Sequence, residues 1–281
     1  MAARPLLKWA GGKSQLLSQL LPLIDRPGQY RTYYEPFVGG GAVFFALAAR
    51  NKMQAAWLND LNAELMNVYR TVAFDPEWLL KALEELLEEY PISEDDYYAV
   101  RELEPTTDDD CAARTIYLNK TAFNGLYRVN KDGKFNAPYG RWPADKLPTV
   151  IDEPNIRAVH AVLDGLQART TSLDFEAAVM AAGAGDLVYI DPPYLPVKAD
   201  SFGKGYTSSG FSMEDHERLA RVFGELVDRG VAVVASNSDT PAARELYKGF
   251  QIIEVEARRS INSKGDGRGP VGELIIVGQR I

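Results

Sequence analysis

Hydrophobic and polar positions alternate along this chain with two different periods. Short apolar or alternating runs, typical of strands, are separated by segments in which apolar residues recur every three or four positions, as in amphipathic helices. The predicted strands are Thr32–Phe37, Ala56–Asn59, Thr170–Leu173, Leu187–Ile190, Val231–Ser236, Ile252–Ala257 and Glu273–Gly278. The predicted helices are Ser14–Leu21, Ala42–Ala49, Ala63–Val72, Glu77–Glu89, Met213–Asp228 and Pro241–Tyr247.

This alternation predicts an α/β fold with a doubly wound, mostly parallel seven-stranded sheet. The last two strands are separated only by a glycine-rich loop, too short for a crossover helix, which predicts a terminal antiparallel hairpin. The alternation stops over residues 73–148, which are first helical and acidic and then rich in Gly, Asn and Lys. We therefore predict a discontinuous α/β domain, residues 1–72 and 149–281, with an inserted and mainly helical domain at 73–148.

Composition excludes several classes of protein. Hydrophobic residues make up 46 % of the 281 residues, as in ordinary globular proteins. No run approaches the ~20 apolar residues that a membrane-spanning helix needs, and the first residues lead into no apolar signal region. These features predict a cytoplasmic protein without a membrane partner. Cys111 is the single cysteine and His160 and His216 are the two histidines, so neither a disulfide nor a metal site is predicted.

The net charge of −8 is distributed unevenly. Residues 75–110 contain 14 acidic and 2 basic residues, whereas residues 114–148 contain 7 basic and 2 acidic residues. The basic stretch is interleaved with aromatic residues, namely Phe123, Tyr127, Phe135, Tyr139 and Trp142. Phosphate contacts need a basic patch and not a basic protein. Residues 114–148 are therefore a candidate nucleic-acid surface, although solvated loops can have a similar composition.

The segment Asp191-Pro192-Pro193-Tyr194 follows the apolar strand Leu187–Ile190. Two prolines end the strand, which leaves Asp191 and Tyr194 at its carboxyl end, where open α/β sheets bind ligands. Asp191 and the carbonyl of Pro192 would each accept one hydrogen of a base's exocyclic amino group and so localise its lone pair, while Tyr194 would stack on the ring. The alternative is a strand-ending turn with an exposed aspartate.

Glycines follow the first predicted strand and precede a helix, an arrangement that lets a ligand approach the backbone. Asp60 ends the second strand 19 residues after Gly41, where an acid can bind ribose hydroxyls. The dinucleotide pattern would need glycine at position 44, which is Phe44. The glycine loop and Asp60 thus indicate an adenosine-containing ligand without indicating NAD.

The motifs, taken in order, resemble those of Dam-type DNA adenine-N6 methyltransferases, a family of the alpha group that contains the Asp-Pro-Pro-Tyr motif. The matching segments are Lys8–Lys13, Glu35–Gly41, Asp60 and Asp191–Tyr194. Two segments, Asn119–Asn130 and Gly133–Gly140, resemble the target-recognition region of the family, and Ser236–Ser238 and Arg259–Asn262 resemble its later motifs. The resemblance spans nearly the whole chain.

The resemblance implies a methyltransferase sheet, S-adenosylmethionine as methyl donor without a metal, and N6 of a flipped adenine in double-stranded DNA as acceptor. It implies four catalytic residues, Asp191, Pro192, Pro193 and Tyr194. The implied cofactor-binding residues are Trp9, Gly11, Lys13, Gly39, Gly41, Asp60, Asp174, Phe175 and Asp191. Among them, Asp60 would hold the ribose, and Asp174 and Phe175 would flank the adenine of the cofactor.

The resemblance also assigns DNA contacts to the inserted domain. Phe123 would wedge into the base stack, Asn124 would approach the unpaired partner base, and Arg128 would bind a guanine. The other implied contacts are Leu126 and Pro138 to thymine methyls, Lys8 to the outer base pair, Lys134 and Arg141 to phosphates, and Asn130 within the same segment. Family members with this segment usually methylate GATC, which we expect here. A partner restriction endonuclease is compatible with the resemblance, and no oligomeric state is indicated.

Two alternatives remain open at the level of sequence. The acceptor of a methyltransferase of this fold could be cytosine N4, RNA or a protein glutamine, although Asp191 stands where the glutamine enzymes would have Asn. The chain could also be a catalytically silent DNA-binding or cofactor-sensing protein, against which the intact Asp60, Asp191 and Tyr194 count.

Overall fold

The computed structural model describes residues 2–9, 11, 13–25, 28–195, 210–258 and 270–280. These residues form a sheet whose strands are β1 (Tyr30–Glu35), β2 (Met53–Asn59), β3 (Arg169–Thr171), β4 (Leu187–Ile190), β5 (Ala232–Ser238), β6 (Phe250–Arg258) and β7 (Pro270–Arg280). The strand order is β3-β2-β1-β4-β5-β7-β6. The pairs from β3 to β5 are parallel, and β7 is antiparallel to both of its neighbours.

Helices cover both faces of this sheet. They are α1 (Leu17–Ile24), α2 (Ala42–Ala48), α3 (Ala63–Phe74), α4 (Pro76–Glu89), α5 (Glu94–Glu102), α6 (Asp108–Thr121), α7 (Glu153–Gly165), α8 (Phe175–Val179), α9 (Met213–Asp228) and α10 (Pro241–Leu246). Within the described ranges, no helix is long and apolar enough to span a membrane.

The predicted fold class is confirmed: the sheet has seven strands, is mostly parallel and ends in an antiparallel hairpin. Each predicted strand is present, and Leu187–Ile190 and Met213–Asp228 have the predicted bounds. The predicted helix Ser14–Leu21 is instead a 3-10 turn, Lys13–Gln15, followed by α1. Helices α5 and α6 lie in the stretch predicted to be mainly helical but were not predicted individually, and α7 and α8 were not predicted. In α6 eight of the 14 residues are buried, so it lacks the polar face that periodicity detects.

Strand β4 is the fourth of the seven strands in the sheet, and it is buried along its whole length because of this central position. Its neighbours are β1 on one side and β5 on the other. Helix α2, which follows β1, packs on one face, while α9, which precedes β5, packs on the opposite face. The carboxyl ends of β1 and β4 therefore border a crevice at the point where the strand order reverses.

The helices within residues 73–148 share a hydrophobic core with one face of the sheet. Tyr117 and Leu118 of α6 belong to the same buried cluster as Tyr33 of β1. This packing fixes the orientation of α6 relative to the sheet. The assignment of 73–148 as a separate recognition domain stays a prediction, because the packing runs continuously across its boundary.

Asn119, which is fully buried near the end of α6, joins the N-terminal segment to this helix. Its Oδ1 accepts a hydrogen bond from the backbone N–H of Lys8 at 2.9 Å. Its Nδ2 donates to the carbonyl oxygens of Lys8 at 2.8 Å and of Gly125 at 3.1 Å. One side chain thus satisfies three backbone groups from two distant parts of the chain.

We expect Asn119→Ala to lower the free energy of unfolding by about 3 kcal/mol, because it leaves buried polar groups of the backbone without partners. Urea denaturation of the two proteins would measure the difference. Lys81→Ala is the matched control: its side chain is exposed on α4, and we expect a change within ~0.5 kcal/mol. Equal effects of the two substitutions would contradict the role assigned to Asn119.

Candidate active site

The candidate site lies where three parallel strands end. β1 ends at Glu35, β2 ends at Asn59 just before Asp60, and β4 ends just before Asp191. Because parallel strands present their carboxyl ends at the same edge of a sheet, the fold gathers three carboxyl groups at this crevice. The structure thus brings together motifs that are up to 156 residues apart in sequence, counted from Glu35 to Asp191.

Asp191 is held by two side chains. The Nζ of Lys13 lies 2.8 Å from Asp191 Oδ1, and Ser236 Oγ donates to the same oxygen at 2.8 Å. Lys13 is only 7 % exposed, so its ammonium needs this counter-charge. The hydroxyl of Tyr189 lies 3.1 Å from Ser236 Oγ and extends the network into the core.

Tyr194 is held by contacts to its hydroxyl and to its ring. Its hydroxyl donates to a carboxylate oxygen of Glu273 on β7 at 3.0 Å, and Lys13 Nζ lies 4.6 Å from the centroid of its ring. Burial, followed by the negative charge of Asp191, raises the pKa of Tyr194 well above its ordinary value, so the hydroxyl stays protonated. The turn after Tyr194 is fixed by Asn237, whose Oδ1 accepts the N–H of Leu195 at 3.1 Å.

Ser236 and Asn237 were noted in the sequence only as part of a later motif, and Glu273 was not singled out at all. The signal for Ser236 was its place at the end of a predicted strand of the parallel sheet. Glu273 carried no such signal, because its proximity to Tyr194 depends on β7 pairing with β5.

The glycine loop follows β1 and has left-handed backbone angles, with φ of 48° at Gly39 and 73° at Gly41. A Cβ on Gly39 would lie 2.8 Å from Trp9 Cδ1, and one on Gly41 would lie 2.6 Å from the hydroxyl oxygen of Tyr69. Both positions therefore require glycine. The indole of Trp9 packs against this loop and stacks on Tyr127 at a centroid distance of 4.9 Å.

Asp60 lies next to the glycine loop. Its Oδ2 accepts the N–H of Gly39 at 3.1 Å, and its Oδ1 accepts the N–H of Asn62 at 3.0 Å. Burial raises the pKa of Asp60 to about 6. Burial also raises the pKa of Glu35 well above its ordinary value, with a further contribution from the charges of Asp191 and Asp60. Glu35 Oε2 accepts a hydrogen bond from the hydroxyl of Tyr33 at 2.8 Å, a bond that opposes the rise in the pKa of Glu35.

Asp174 and Phe175, at the start of α8, form a wall beside the segment that precedes the glycine loop. The carboxylate of Asp174 accepts hydrogen bonds from Arg218 on α9, and the ring of Phe175 lies 5.6 Å from that of Phe37, which precedes the glycine loop. Gly11, with φ of 80°, is exposed beside Lys13. Ala10 and Gly12 of the same motif, and the motif Arg259–Asn262, lie outside the described residues.

The recognition segment begins with an exposed turn. Phe123 is 49 % exposed, and Asn124 follows it with a left-handed φ of 56°. Backbone bridges between Ala122 and Tyr139 hold the base of the segment. The side chain of Lys8 packs on Gly125 so closely that a Cβ there would lie 2.6 Å from Lys8 Cδ.

The polar side chains of this segment form hydrogen bonds and an ion pair with neighbouring residues. Arg128 Nε donates to Asn136 Oδ1 at 2.7 Å, and its Nη2 donates to the carbonyl of the same residue at 2.9 Å. Lys134 forms an ion pair with Glu104 at 2.7 Å. Asn130 Oδ1 accepts two backbone N–H groups and shapes the turn. Leu126 is half-buried, and two further predicted contact residues are exposed, Pro138 and Arg141.

The predicted residues thus fall into two neighbouring groups. The first surrounds the ends of β1, β2 and β4, and the second forms the exposed segment from Phe123 to Arg141. Lys8 and Trp9 lie between them, since Lys8 packs on Gly125 and Trp9 packs on Gly39. The roles assigned to these residues remain predictions.

The raised pKa of Asp60 predicts a pH-dependent stability. A carboxyl group with a folded-state pKa near 6, above its usual 3.8, stabilises the fold below about pH 4, and this contribution is lost as pH rises through 6. We expect Asp60→Asn to remove this dependence. Between pH 4 and 7 the unfolding free energy of the parent protein should therefore fall relative to that of the variant. Urea denaturation across this range would measure both free energies. If the two fall in parallel with pH, the raised pKa of Asp60 is contradicted.

Comparison with known proteins agrees with the motifs. Residues 9–261 match the sequence profile of D12 class N6 adenine-specific DNA methyltransferases. The chain is 41 % identical over 279 residues to a Type II methyltransferase of Lactococcus lactis subsp. cremoris, covering 97 % of this chain and 94 % of that protein. A Type II methyltransferase of Methanocaldococcus jannaschii is 39 % identical, with 99 % of both chains covered.

A DNA adenine methylase of Escherichia coli is 32 % identical over 276 residues, covering 98 % of this chain and 95 % of that protein. The resemblance inferred from the motifs is therefore confirmed, and the acceptor is adenine in DNA. The chain belongs to the D12 class of N6 adenine-specific DNA methyltransferases.

Proposed function

We propose that this DNA methyltransferase transfers the methyl group of S-adenosylmethionine to N6 of an adenine that is flipped out of duplex DNA, within the sequence GATC. The observation that carries the proposal is the geometry around Asp191. Among the described residues, Lys13 and Ser236 both contact Oδ1 of this carboxylate, which leaves Oδ2 to accept a hydrogen from an amino group. The carboxylate is thus oriented before the base arrives.

The chemistry of the residues around the crevice fits the cofactor. S-adenosylmethionine carries a positive sulfonium and an ammonium group, and the crevice contains the carboxylates of Asp60 and Asp191. In our proposal Asp60 accepts the ribose hydroxyls with the lone pairs that its two backbone partners leave free. The backbone of Gly39 and Gly41 and the indole of Trp9 would hold the methionine end. The bound cofactor would supply an electrophilic methyl group on a positively charged sulfur.

The amino group of adenine is a weak nucleophile because its lone pair is delocalised into the ring. Asp191 Oδ2 and the carbonyl of Pro192 would each accept one amino hydrogen, which directs the lone pair out of the ring plane. Pro192 and Pro193 fix the backbone here, and Tyr194, held by Glu273, would stack on the base. The nitrogen lone pair would form the new N–C bond while the electrons of the C–S bond pass to sulfur, and the methylated nitrogen would then release one proton to solvent. Catalysis would come from orientation and electrostatics.

The base must leave the duplex to reach this crevice, at a cost of a few kcal/mol. The exposed turn at Phe123 and Asn124 supports this step, because an apolar side chain beside a polar one could fill the space that the base leaves. In our proposal residues 73–148 contain the DNA-recognition surface. GATC rests on the resemblance of the recognition segment, with Leu126, Pro138 and Arg128 contacting bases, Lys8 the outer pair, and Lys134 and Arg141 phosphates.

The names of two relatives suggest a biological role for the methylation. Both are Type II methyltransferases, and one belongs to Lactococcus lactis and the other to Methanocaldococcus jannaschii. We extend the proposal to modification of host DNA in the cytoplasm, in a restriction-modification system with a partner endonuclease.

Methylation mapping would test donor, acceptor and sequence together. Plasmid DNA from a methylation-free host that expresses this chain should contain N6-methyladenine at GATC, and Asp191→Ala should abolish it while the protein stays folded and binds DNA. Methylation of adenine N6 at another sequence would contradict the GATC assignment but would agree with the proposed methyl transfer. Near-normal turnover by Asp191→Ala would overturn the proposed role of this carboxylate.

Base reading and phosphate binding are separable by two substitutions in one segment. We expect Arg128→Ala to cost ~1–3 kcal/mol on the cognate site and to relax the preference at one base pair. Lys134→Ala should weaken binding equally on all sequences and reduce the slope of log affinity against log salt by about one. Binding titrations on cognate and substituted duplexes at several salt concentrations would measure both. Uniform loss by Arg128→Ala would make it a phosphate contact.

A further inference from the structure

We infer that Arg218 is a positioning residue of the cofactor pocket, which fixes the carboxylate of Asp174 so that the pocket selects a 6-amino purine over a 6-oxo purine. The inference rests on the proposed function, in which Asp174 and Phe175 flank the adenine of S-adenosylmethionine. Arg218 lies on α9 and was not singled out by any motif in the sequence.

Arg218 contacts both of these residues with one guanidinium group. Its Nη1 donates to Asp174 Oδ1 at 2.8 Å, and its Nη2 donates to Asp174 Oδ2 at 2.8 Å. Two parallel hydrogen bonds from a planar fork fix the plane of the carboxylate, which a single contact would not do. The central carbon of the guanidinium lies 4.2 Å from the centroid of the Phe175 ring.

The guanidinium is itself anchored from the start of α9. Its Nη2 also donates to Asp215 Oδ1 at 3.2 Å. Asp215 forms the capping box of this helix with Ser212, whose hydroxyl and N–H both bind Asp215 Oδ2 at 2.9 Å. Arg218 is 34 % exposed, and ion pairs this close to solvent add little to folding stability. Its bidentate geometry is therefore better explained by what it does to Asp174.

A fixed carboxylate has a definite chemical preference. An ionised carboxylate accepts hydrogen bonds and donates none, and its two oxygens offer about four lone-pair sites. Arg218 uses two of them, and the backbone N–H of Glu176 uses a third on Oδ1 at 3.0 Å. A 6-amino group donates to such an oxygen, whereas a 6-oxo group would place one acceptor against another. The N–H of Glu176 restrains only Oδ1, so without Arg218 the carboxylate could turn Oδ2 away from a 6-oxo group. Selectivity therefore depends on the second restraint that Arg218 provides.

The same wall continues to the glycine loop. The Phe175 ring lies 5.6 Å from Phe37 and 5.9 Å from Phe211, and Phe37 lies two residues before Gly39. Arg218 thus holds one end of a row of aromatic rings that extends to the loop proposed to bind the methionine end. Displacing the guanidinium would loosen this wall where the purine is expected.

Equilibrium binding to the full-length protein tests the inference without relying on turnover. Titration calorimetry with S-adenosylhomocysteine and S-inosylhomocysteine gives the ratio of their dissociation constants. We expect the parent protein to prefer the adenosyl compound, and Arg218→Gln to reduce this preference ~10-fold, about the free energy of one good hydrogen bond. The adenosyl compound should bind more weakly, and the inosyl compound should bind no more weakly than it does to the parent protein. Arg218→Lys keeps the charge without the fork and should give an intermediate ratio.

Arg221→Gln is the matched control. Arg221 lies one turn further along α9 and binds Glu176 at 3.0 Å and Glu225 at 2.8 Å; no contact with Asp174 is found in the described part of the chain. It should leave the ratio unchanged, and thermal unfolding of both variants reports any general destabilisation. An unchanged ratio in Arg218→Gln, or an equal loss in Arg221→Gln, would overturn the inference.

Asp174→Ala separates this inference from the function on which it rests. If Asp174→Ala loses the preference for the adenosyl compound while Arg218→Gln keeps it, the adenine pocket stands and the role of Arg218 is wrong. If Asp174→Ala keeps the preference, the adenine assignment of Asp174 fails and the inference fails with it. Loss of preference in both variants supports both statements.

Discussion

The parallel pairing of β1 with β4 is the constraint on which the site depends. These strands are distant in sequence, and the helices associated with them pack on opposite faces of the sheet, so a crevice opens between their carboxyl ends. Each group of the candidate site is attached to this crevice by a short connection. Asp191 follows β4 directly, the glycine loop follows β1, and Asp60 follows β2, which pairs with the other side of β1.

Placing several acids in one crevice has an electrostatic cost that the structure meets in three ways. Asp191 is paired with the buried ammonium of Lys13. Burial raises the pKa of Glu35 well above its ordinary value, which disfavours a further charge in the site. Asp60, with a pKa raised to about 6, accepts two backbone hydrogen bonds that favour its ionised form. The site therefore retains negative charge where a cationic cofactor is proposed.

Local pattern predicted much of this fold and less of the contacts within the site. The apolar run Leu187–Ile190 and the amphipathic Met213–Asp228 have strong periods and were predicted with the observed bounds. Helix α6 was missed because it is buried on most sides. Glu273 and Arg218 could not be found, since each acts through a partner on another element. Spacing along the chain does not encode that β7 pairs with β5 or that Arg218 of α9 reaches Asp174, whereas motif order assigned Lys13 and Asp191 to one site, and the two form an ion pair.

The position of β7 has a consequence for protein synthesis. This strand pairs between β5 and β6, although it follows both in the chain. While a ribosome is still translating, β5 has an open edge and Tyr194 has no Glu273 to accept its hydroxyl hydrogen. Residues 270–280 must leave the exit tunnel before the sheet can close. In the nascent chain, Tyr194 therefore gains its partner Glu273 only after residues 270–280 have been made.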